Sequence, residues 1–373
     1  MTDELRAWAY LSRVVEPPSH ELAALVSSDG PVAAADRIRR GKVDGQLMRL
    51  SEARRELDCA TDDLDVLNRL GGRLITADDD EYPMLAFRAF ASVNLRDRPT
   101  GQQPLVLWVV GAESLVDVAD RSCSIVGTRA STSYGEHVAS DLAVGLAERD
   151  VAVVSGGAFG IDGVAHRAAL SADGLTVAVL AGGVDVHYPV AHSAMLRRIG
   201  QEGLLVSEYP PRVRPARHRF LTRNRLVAAL SGATVVVEAG LRSGAANTAA
   251  WAEALGRPVC AVPGPVTSAA SAGCHVLLRN GAQVVTRAAE VVELVGRAGE
   301  LASEPGRPTS PLDSLNDVEL RTYDALPARA ARTLDQIAVA AGLPPTQLLG
   351  PLAALELAGL VVRHDGRWRV ALR

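Results

Sequence analysis

The chain has 373 residues, of which 48% are apolar and 22% charged, and its formal net charge is −4. This length predicts two or three domains, and the composition excludes a disordered chain. The net charge excludes a protein that coats nucleic acid with a uniformly basic surface. Of the basic residues, 38 are arginine and one, Lys42, is lysine, so an isolated arginine is a weak functional signal. Lys42 precedes Val43 instead of Ser or Thr, which excludes a phosphate-binding P-loop.

The N-terminal region, from Leu5 to about Arg73, has apolar residues at helical spacing, broken at Pro17-Pro18, Gly30-Pro31 and Gly41. This pattern predicts four short helices in a small domain over residues 1–75, similar to a SAM or helix-hairpin-helix domain. The glycine pair of a DNA-contacting hairpin is missing, so a packing role is favoured over a DNA-backbone contact.

The compartment is indicated by the cysteines and the N-terminus. The four cysteines lie far apart without a CxxC pair, as is usual for buried thiols in a reducing cytoplasm. The N-terminus has no signal-peptide pattern, and no apolar run approaches the roughly 20 residues of a membrane span. We therefore expect a soluble cytoplasmic protein that binds neither metal nor membrane.

The central region, residues 76–298, alternates short apolar strands with amphipathic helices. Such alternation predicts an α/β fold, an extended Rossmann-like doubly wound parallel sheet with helices on both faces. Ligands bind such sheets at the carboxyl ends of the strands. The predicted strands are Ser124–Gly127, Val151–Ser155, Thr176–Leu180, Leu204–Ser207, Thr234–Glu238, Pro258–Val262 and Gln283–Val285.

The C-terminal region is predicted to be a winged helix over residues 317–373, after a Pro- and Ser-rich linker over 299–316. Its third helix, Thr346–Ala358, has Glu356 as its single charged residue, whereas a helix that reads DNA normally carries basic or amide side chains. A packing or protein-interaction module is therefore favoured over a duplex reader. The predicted elements are helices Asp317–Ala325, Thr333–Ala341 and Thr346–Ala358, then strands Leu360–Arg363 and Arg367–Val370.

The first central strand ends in Gly127-Thr128-Arg129, and Ser133 and Glu136 then form a predicted helix cap. A strand, a glycine turn and a helix N-terminus can together bind an anion. A plain turn between strand and helix explains the same residues equally well.

The second strand ends in Ser155-Gly156-Gly157, followed by Phe159 and Gly160. Ser155 replaces the first glycine of the dinucleotide fingerprint, so a dinucleotide site is not predicted. Asp162 and His166 lie one helical turn apart, and a mutually satisfied structural pair is favoured over an acid–base pair because no nucleophile lies beside them.

The segment from Tyr209 to Val237 contains no Asp or Glu. The same segment contains six arginines close to Phe220. Such a cluster, with no acidic residue beside it, suits the binding of a phosphate backbone with a base stacked on the Phe220 ring. The alternative is a basic loop that is merely solvated. The arginines are Arg212, Arg214, Arg217, Arg219, Arg223 and Arg225.

The remaining strand ends carry glycine turns, such as Ser243-Gly244, but no nucleophile and no cluster of metal ligands. This inventory favours binding over catalysis, with no catalytic residue, metal or cofactor predicted.

Several motifs, in this order, resemble the DNA-processing protein A (DprA/Smf) family. The resemblance runs through about 104–286, and the C-terminal winged helix extends it. The motifs are SIVGTR (124–129), VVSGGAFGID (153–162), TVAVLAGGVDVHYP (176–189), SEYPP (207–211), RNR (223–225), VVVEA (235–239) and AVPG (261–264).

The resemblance implies a homodimer that binds single-stranded DNA, protects it, and loads the recombinase RecA onto it in natural transformation and homologous recombination. It implies no cofactor and no catalytic residue. The DNA-binding residues that it implies, together with the analysis above, are Gly127, Thr128, Arg129, Ser131, Ser155, Gly156, Gly157, Phe159, Gly160, Arg217, Phe220, Arg223, Asn224, Arg225, Ser243 and Gly244.

Two alternatives remain. One is a nucleotide-hydrolysing Rossmann enzyme similar to the lysine-decarboxylase-like phosphoribohydrolases, with Asp162, Glu208 or Glu238 as its acid, although the signature of that group is missing. The other is a transcriptional or scaffold protein that acts through its winged helix.

Overall fold

The structure is a computed structural model that describes residues 2–302 and 312–371. The described residues form two compact units, one up to Ala302 and one from Leu312 onward. Of the predicted linker, 299–316, residues 303–311 lie outside the described residues. The predicted boundary at residue 75 lies inside the first unit and stays a prediction.

The first unit begins with five helices, so the prediction of four is wrong. The additional helix arises because the chain breaks between Ser51 and Ala60, where no Gly or Pro marks the break. The exposed Lys42 follows the third helix. The helices are α1 (Asp3–Val14), α2 (His20–Asp29), α3 (Pro31–Arg39), α4 (Gly45–Ser51) and α5 (Ala60–Arg69).

Nine strands of the first unit form one sheet, in the order β1-β2-β6-β5-β4-β3-β7-β8-β9. The strands from β6 to β9 in this order are parallel, whereas β2 is antiparallel to both β1 and β6. The predicted parallel sheet is confirmed, but β1 and β2 are not among the strands that the sequence predicts. The strands are β1 (Gly72–Thr76), β2 (Val106–Val110), β3 (Ser122–Val126), β4 (Ala152–Ser155), β5 (Thr176–Leu180), β6 (Leu204–Ser207), β7 (Ala233–Val236), β8 (Val259–Ala261) and β9 (Gln283–Val284).

Helices cover both faces of this sheet because neighbouring strand residues point to opposite sides. Val153 packs in one core with α8, α9 and α14, and Val154 packs in another with α11 and α12. Trp8 of α1 shares a third core with Trp108 of β2. The helices are α6 (Met84–Phe87), α7 (Leu115–Asp120), α8 (Ser133–Ala147), α9 (Ile161–Ser171), α10 (Ser193–Glu202), α11 (Arg217–Ala229), α12 (Gly244–Ala254), α13 (Ala272–Arg279) and α14 (Ala288–Val295), with short 3-10 helices at Arg88–Ser92 and Val190–His192.

The second unit is a winged helix, as predicted. The side chain of Thr333 accepts a hydrogen bond from the Gln336 N–H and the Gln336 side chain accepts one from the Thr333 N–H, which fixes the start of the second helix. Leu348, Leu352 and Trp368 belong to its core. Its elements are α15 (Asp317–Asp324), α16 (Leu334–Ala341), α17 (Pro345–Leu357), β10 (Val361–His364) and β11 (Arg367–Val370).

No single helix in the described part of the chain is long and apolar enough to cross a membrane. The pair α16 and α17 meets the length and composition requirements jointly but is bent by 102°.

Candidate functional site

A cleft of about 810 Å³ lies at the carboxyl ends of β3 and β7. The strand order reverses at this point, because the chain leaves β3 for α8 on one face and β7 for α12 on the other. Crevices of this kind are where doubly wound sheets bind ligands. The predicted residues that line the cleft are Gly127, Thr128, Arg129, Arg217, Phe220, Arg223, Asn224, Ser243 and Gly244.

The turn after β3 is locked to the end of β7. The Thr128 N–H donates to the Glu238 carbonyl at 2.7 Å, and the Glu238 carboxylate accepts from the N–H and the hydroxyl of Thr132. Thr132 also caps α8 by accepting from the Gly135 N–H, so the predicted cap at Ser133 is wrong by one residue. Ser131 does not line the cleft and donates to Glu136 at 2.8 Å. The backbone beside Arg129 is therefore rigidly positioned.

The glycines after β4 let this turn pack closely against the cleft. A Cβ on Gly156 would overlap the Arg223 guanidinium, and a Cβ on Gly160 would overlap the Thr128 carbonyl oxygen. Gly160 has a φ of +73°, which L side chains rarely adopt. Their role in this structure is close packing behind the cleft wall.

Three further predicted residues near β4 lie outside the cleft. Ser155 is fully buried and donates to the Ile125 carbonyl at 2.7 Å. Gly157 is buried, with its carbonyl bonded to His192 at 3.0 Å. Phe159 is 47% exposed and contacts the His192 ring edge-on, with the centroids 4.9 Å apart.

Three exposed arginines surround two aromatic rings in the cleft, whose planes are tilted by 52° relative to each other. Arg129, Arg217 and Arg242 line it, and within the described ranges none of them pairs with a carboxylate. The Arg129 guanidinium lies 5.2 Å from the Phe220 ring centroid, and the Tyr188 ring lies 5.6 Å on from Phe220. The result is a positively charged rim around a π-surface.

Arg223 forms part of the cleft floor. It is only 5% exposed, and one of its terminal nitrogens donates to the Val179 carbonyl at 3.1 Å. Burial lowers the pKa of Arg223 to about 10, with the Asp162 carboxylate opposing the shift, so the side chain stays charged at neutral pH. Its neighbour Asn224 donates to the Gly244 carbonyl at 3.3 Å, which ties α11 to the start of α12.

Arg225 is placed in the core, which corrects its predicted location in a DNA-contacting surface. Its side chain is fully buried and forms two hydrogen bonds to the Glu208 carboxylate, at 2.7 and 2.6 Å. Two positions along α11 are about 200° around the helix, so Arg225 points away from the cleft that Arg223 lines. The partner of Arg225 is therefore the carboxylate of Glu208 and not a phosphate of DNA.

The candidate acids and the histidine do not form a catalytic group. Glu208 and Glu238 have the structural partners described above. His166 bonds through Nδ1 to the Thr176 hydroxyl at 2.7 Å, whereas Asp162 accepts from the Ala158 N–H at 3.4 Å, so the expected Asp162–His166 pair is wrong. Burial raises the pKa of Asp162 and, with the Arg223 charge, lowers the pKa of His166 to about 3.

Two residues of the cleft are missed by the sequence analysis. Tyr188 stands near the end of the TVAVLAGGVDVHYP motif (176–189), but nothing in the sequence shows that it reaches Phe220. Arg242 directly precedes Ser243-Gly244, and it carries no signal in a chain with so many arginines.

A doubly wound α/β sheet with an arginine-rimmed cleft at its switch point defines a protein of the Rossmann type. The family model for DNA recombination-mediator protein A matches residues 73–296, and that for the DprA winged helix domain matches 306–367. The chain therefore belongs to the DprA/Smf family.

Named relatives are similar over most of the chain. A DNA processing protein DprA from Mycobacterium tuberculosis is 66% identical over 98% of this chain and 94% of its own length. The solved DNA processing protein A of Streptococcus pneumoniae has a TM-score of 0.62 and 28% identity, covering 79% of this chain and 98% of that one. The one from Helicobacter pylori, described for its unique single-stranded DNA binding mode, has a TM-score of 0.51 and 29% identity, covering 60% and 94%.

Proposed function

We propose that the protein binds single-stranded DNA in the cleft between β3 and β7. The observation that carries this proposal is the set of exposed arginines, Arg129, Arg217 and Arg242, without carboxylate partners in the described residues, around Phe220. A family member from Helicobacter pylori with a described single-stranded DNA binding mode supports it. A duplex buries the faces of its bases, whereas a single strand can stack them on the ring.

Binding combines phosphate contacts with stacking. The guanidinium groups of Arg129, Arg217 and Arg242 pair with phosphates, and a base stacks against Phe220 and Tyr188. Neither contact distinguishes one base from another, so sequence preference is weak. Affinity falls steeply with salt, by a slope of about −0.7 in log–log terms for each phosphate neutralised on a single strand.

The direct experiment is competition between labelled oligo-dT and unlabelled single-stranded or duplex DNA across a salt series. We expect strong single-strand preference and a steep salt slope. Equal affinity for both forms, or affinity that is independent of salt, contradicts the proposal.

In the cell, the bound strand is protected and handed to RecA by a cytoplasmic homodimer, in natural transformation or homologous recombination. Family membership supports this role, because the matching family model is that of a recombination mediator. The test is the rate of RecA filament nucleation on oligo-dT, which we expect to rise when the protein is added. An unchanged or lower rate contradicts RecA loading and leaves DNA binding as a separate result.

A nucleotide-hydrolysing enzyme is the second candidate, favoured by one observation. Asp162 lines the cleft, and burial raises its pKa, as a general acid requires. If the protein hydrolyses nucleotides, incubation with nucleoside monophosphates yields free base, and Asp162→Asn abolishes this activity. Absence of free base after prolonged incubation rejects this candidate.

A further inference from the structure

A second basic cavity, of about 280 Å³, lies where the N-terminal helices meet the loop between β6 and α11. It shares no lining residue with the DNA cleft. Its charged walls come from α1, from the segments after α1 and α4, from the loop and from the first turn of α11. The charged lining residues are Arg13, Arg54, Arg212, Arg214, Arg219 and Glu16.

The arginines of this cavity outnumber the carboxylates that serve them. Asp63 pairs with Arg13 at 2.6 Å, and Asp62 lies 3.9 Å from Arg212. Glu16 is shared by Arg219 at 2.6 Å, Arg54 at 3.1 Å and His218 at 3.4 Å. Burial alone would raise the pKa of Glu16, but hydrogen bonds from Arg219 and Arg54 outweigh it and keep the pKa low. Arg214 is exposed and has no carboxylate partner in the part of the chain that the structure describes. The cavity therefore keeps a positive excess at neutral pH.

The wall of the cavity also contains an unpaired polar group. Tyr209 is 2% exposed, and its buried hydroxyl has no hydrogen-bond partner within the described residues. The Arg219 guanidinium stacks over the same ring, 5.1 Å from its centroid. Buried polar groups are nearly always satisfied, so an unpaired hydroxyl in the wall of an arginine-lined cavity is unusual.

We propose that this cavity binds a phosphodiester group of the strand that occupies the DNA cleft. The first turn of α11 separates the two sites: Arg217 and Phe220 line the cleft, and Arg219 lines the cavity. A strand that leaves the cleft across this turn meets the cavity next. Guanidinium groups bind phosphate in a forked geometry, which fits a site built from arginine. The inference rests on the proposed single-strand binding.

The experiment measures the affinity of the full-length protein for oligo-dT, lengthened one nucleotide at a time. Arg214→Gln removes the arginine without a carboxylate partner, and Glu16→Gln removes the carboxylate but keeps a hydrogen-bond acceptor. Arg49→Gln, an exposed arginine on α4 outside both sites, is the control. Thermal melting checks that each variant is folded.

We expect Arg214→Gln to weaken binding of long oligonucleotides roughly tenfold and to leave the shortest ones unaffected. Its salt slope falls by about 0.7, the value of one phosphate contact. Glu16→Gln acts in the opposite direction and strengthens binding of the same long oligonucleotides. Unfolding cannot produce changes of opposite sign in the two variants.

Three results overturn the inference. Affinities equal to those of Arg49→Gln at every length mean that the cavity does not contact DNA. An equal loss at all lengths means that Arg214 belongs to the cleft. A wild-type protein that binds no oligo-dT rejects the proposed function along with the inference, whereas either of the first two results rejects the inference alone.

Discussion

The arginines of this protein differ in role according to what surrounds each guanidinium group. Arg129 is exposed without a carboxylate partner in the described residues, Arg223 is buried at the cleft floor, and Arg225 is buried against Glu208. The sequence identifies the cluster but cannot separate its members, because the difference between Arg223 and Arg225 depends on helix phase and on Glu208, 17 residues away.

Replacing Arg129 tests the role of the exposed arginines in binding DNA. Arg129→Ala removes a phosphate partner without leaving a buried group unpaired, so we expect roughly tenfold weaker single-strand binding and an unchanged melting temperature. Fluorescence anisotropy with labelled oligo-dT measures the affinity. Arg6→Ala, an exposed arginine on α1 outside the cleft, is the control and should bind as the wild type does. Wild-type affinity in Arg129→Ala would place the phosphate contacts elsewhere.

Replacing Arg225 tests the contribution of the buried arginine–carboxylate pair to stability. Arg225→Ala leaves the Glu208 carboxylate buried without its partner, and we expect the free energy of unfolding to fall by about 3–5 kcal/mol. Urea unfolding measures the loss. The double variant Glu208→Leu, Arg225→Met removes both charges and should be less destabilised than the single variant. A single variant as stable as the wild type would mean that the pair is not structural.

His166 gives the fold a dependence on pH. Burial and the nearby Arg223 charge lower its pKa to about 3, whereas an unfolded histidine has a pKa of 6.5. The unfolded chain therefore binds the proton more readily. The stability from neutral His166 is fully present above the unfolded pKa and is lost as pH falls toward the folded one.

Between the unfolded and the folded pKa of His166, we expect the free energy of unfolding to fall by about 1.4 kcal/mol for each unit by which the pH is lowered. Urea titrations from about pH 7 to about pH 5 measure the slope. His166→Asn keeps a polar group opposite Thr176 but does not titrate, so its slope should be flatter. Equal slopes in the two proteins would contradict the assignment.

At the scale of elements, the sequence predicts the parallel strands because each is an apolar run followed by an amphipathic helix. It misses β1 and β2, which form an antiparallel extension of the sheet, although β2 is itself a buried apolar run. It also misses the break before α5, which polar residues make without Gly or Pro. The sequence places the cleft at the strand ends, but the contact of Tyr188 with Phe220 joins elements that only the folded chain brings together.

The contact between the turns after β3 and β4 can be tested at Gly160. Gly160→Ala imposes a strained φ and pushes a Cβ against the Thr128 carbonyl oxygen. Gly256 is the matched control, since its φ is +68° and a Cβ there meets nothing. We expect Gly160→Ala to cost about 1–3 kcal/mol of stability and to weaken DNA binding, and Gly256→Ala to cost less and bind normally. Equal behaviour of the two variants would mean that the turn contact is unimportant.

At the scale of the whole molecule, the two units have separate hydrophobic cores. The helix α17 has no Arg or Lys, as the sequence shows, and the basic cleft lies wholly in the first unit. We expect a chain that ends after Ala302 to keep its single-strand affinity within about a factor of two. Competition binding measures this, and a large loss would give the winged helix a direct part in binding DNA.

The positive charge of the cleft is carried by guanidinium groups alone. Its basic lining residues are Arg129, Arg217, Arg223 and Arg242, while Lys42 lies exposed after α3. Guanidinium groups cannot be acetylated as lysine amines are, and they stay protonated throughout the physiological range. Lysine acetylation therefore has no target in the cleft, and an amine-reactive dye would label Lys42 or the chain terminus and leave the cleft unmodified.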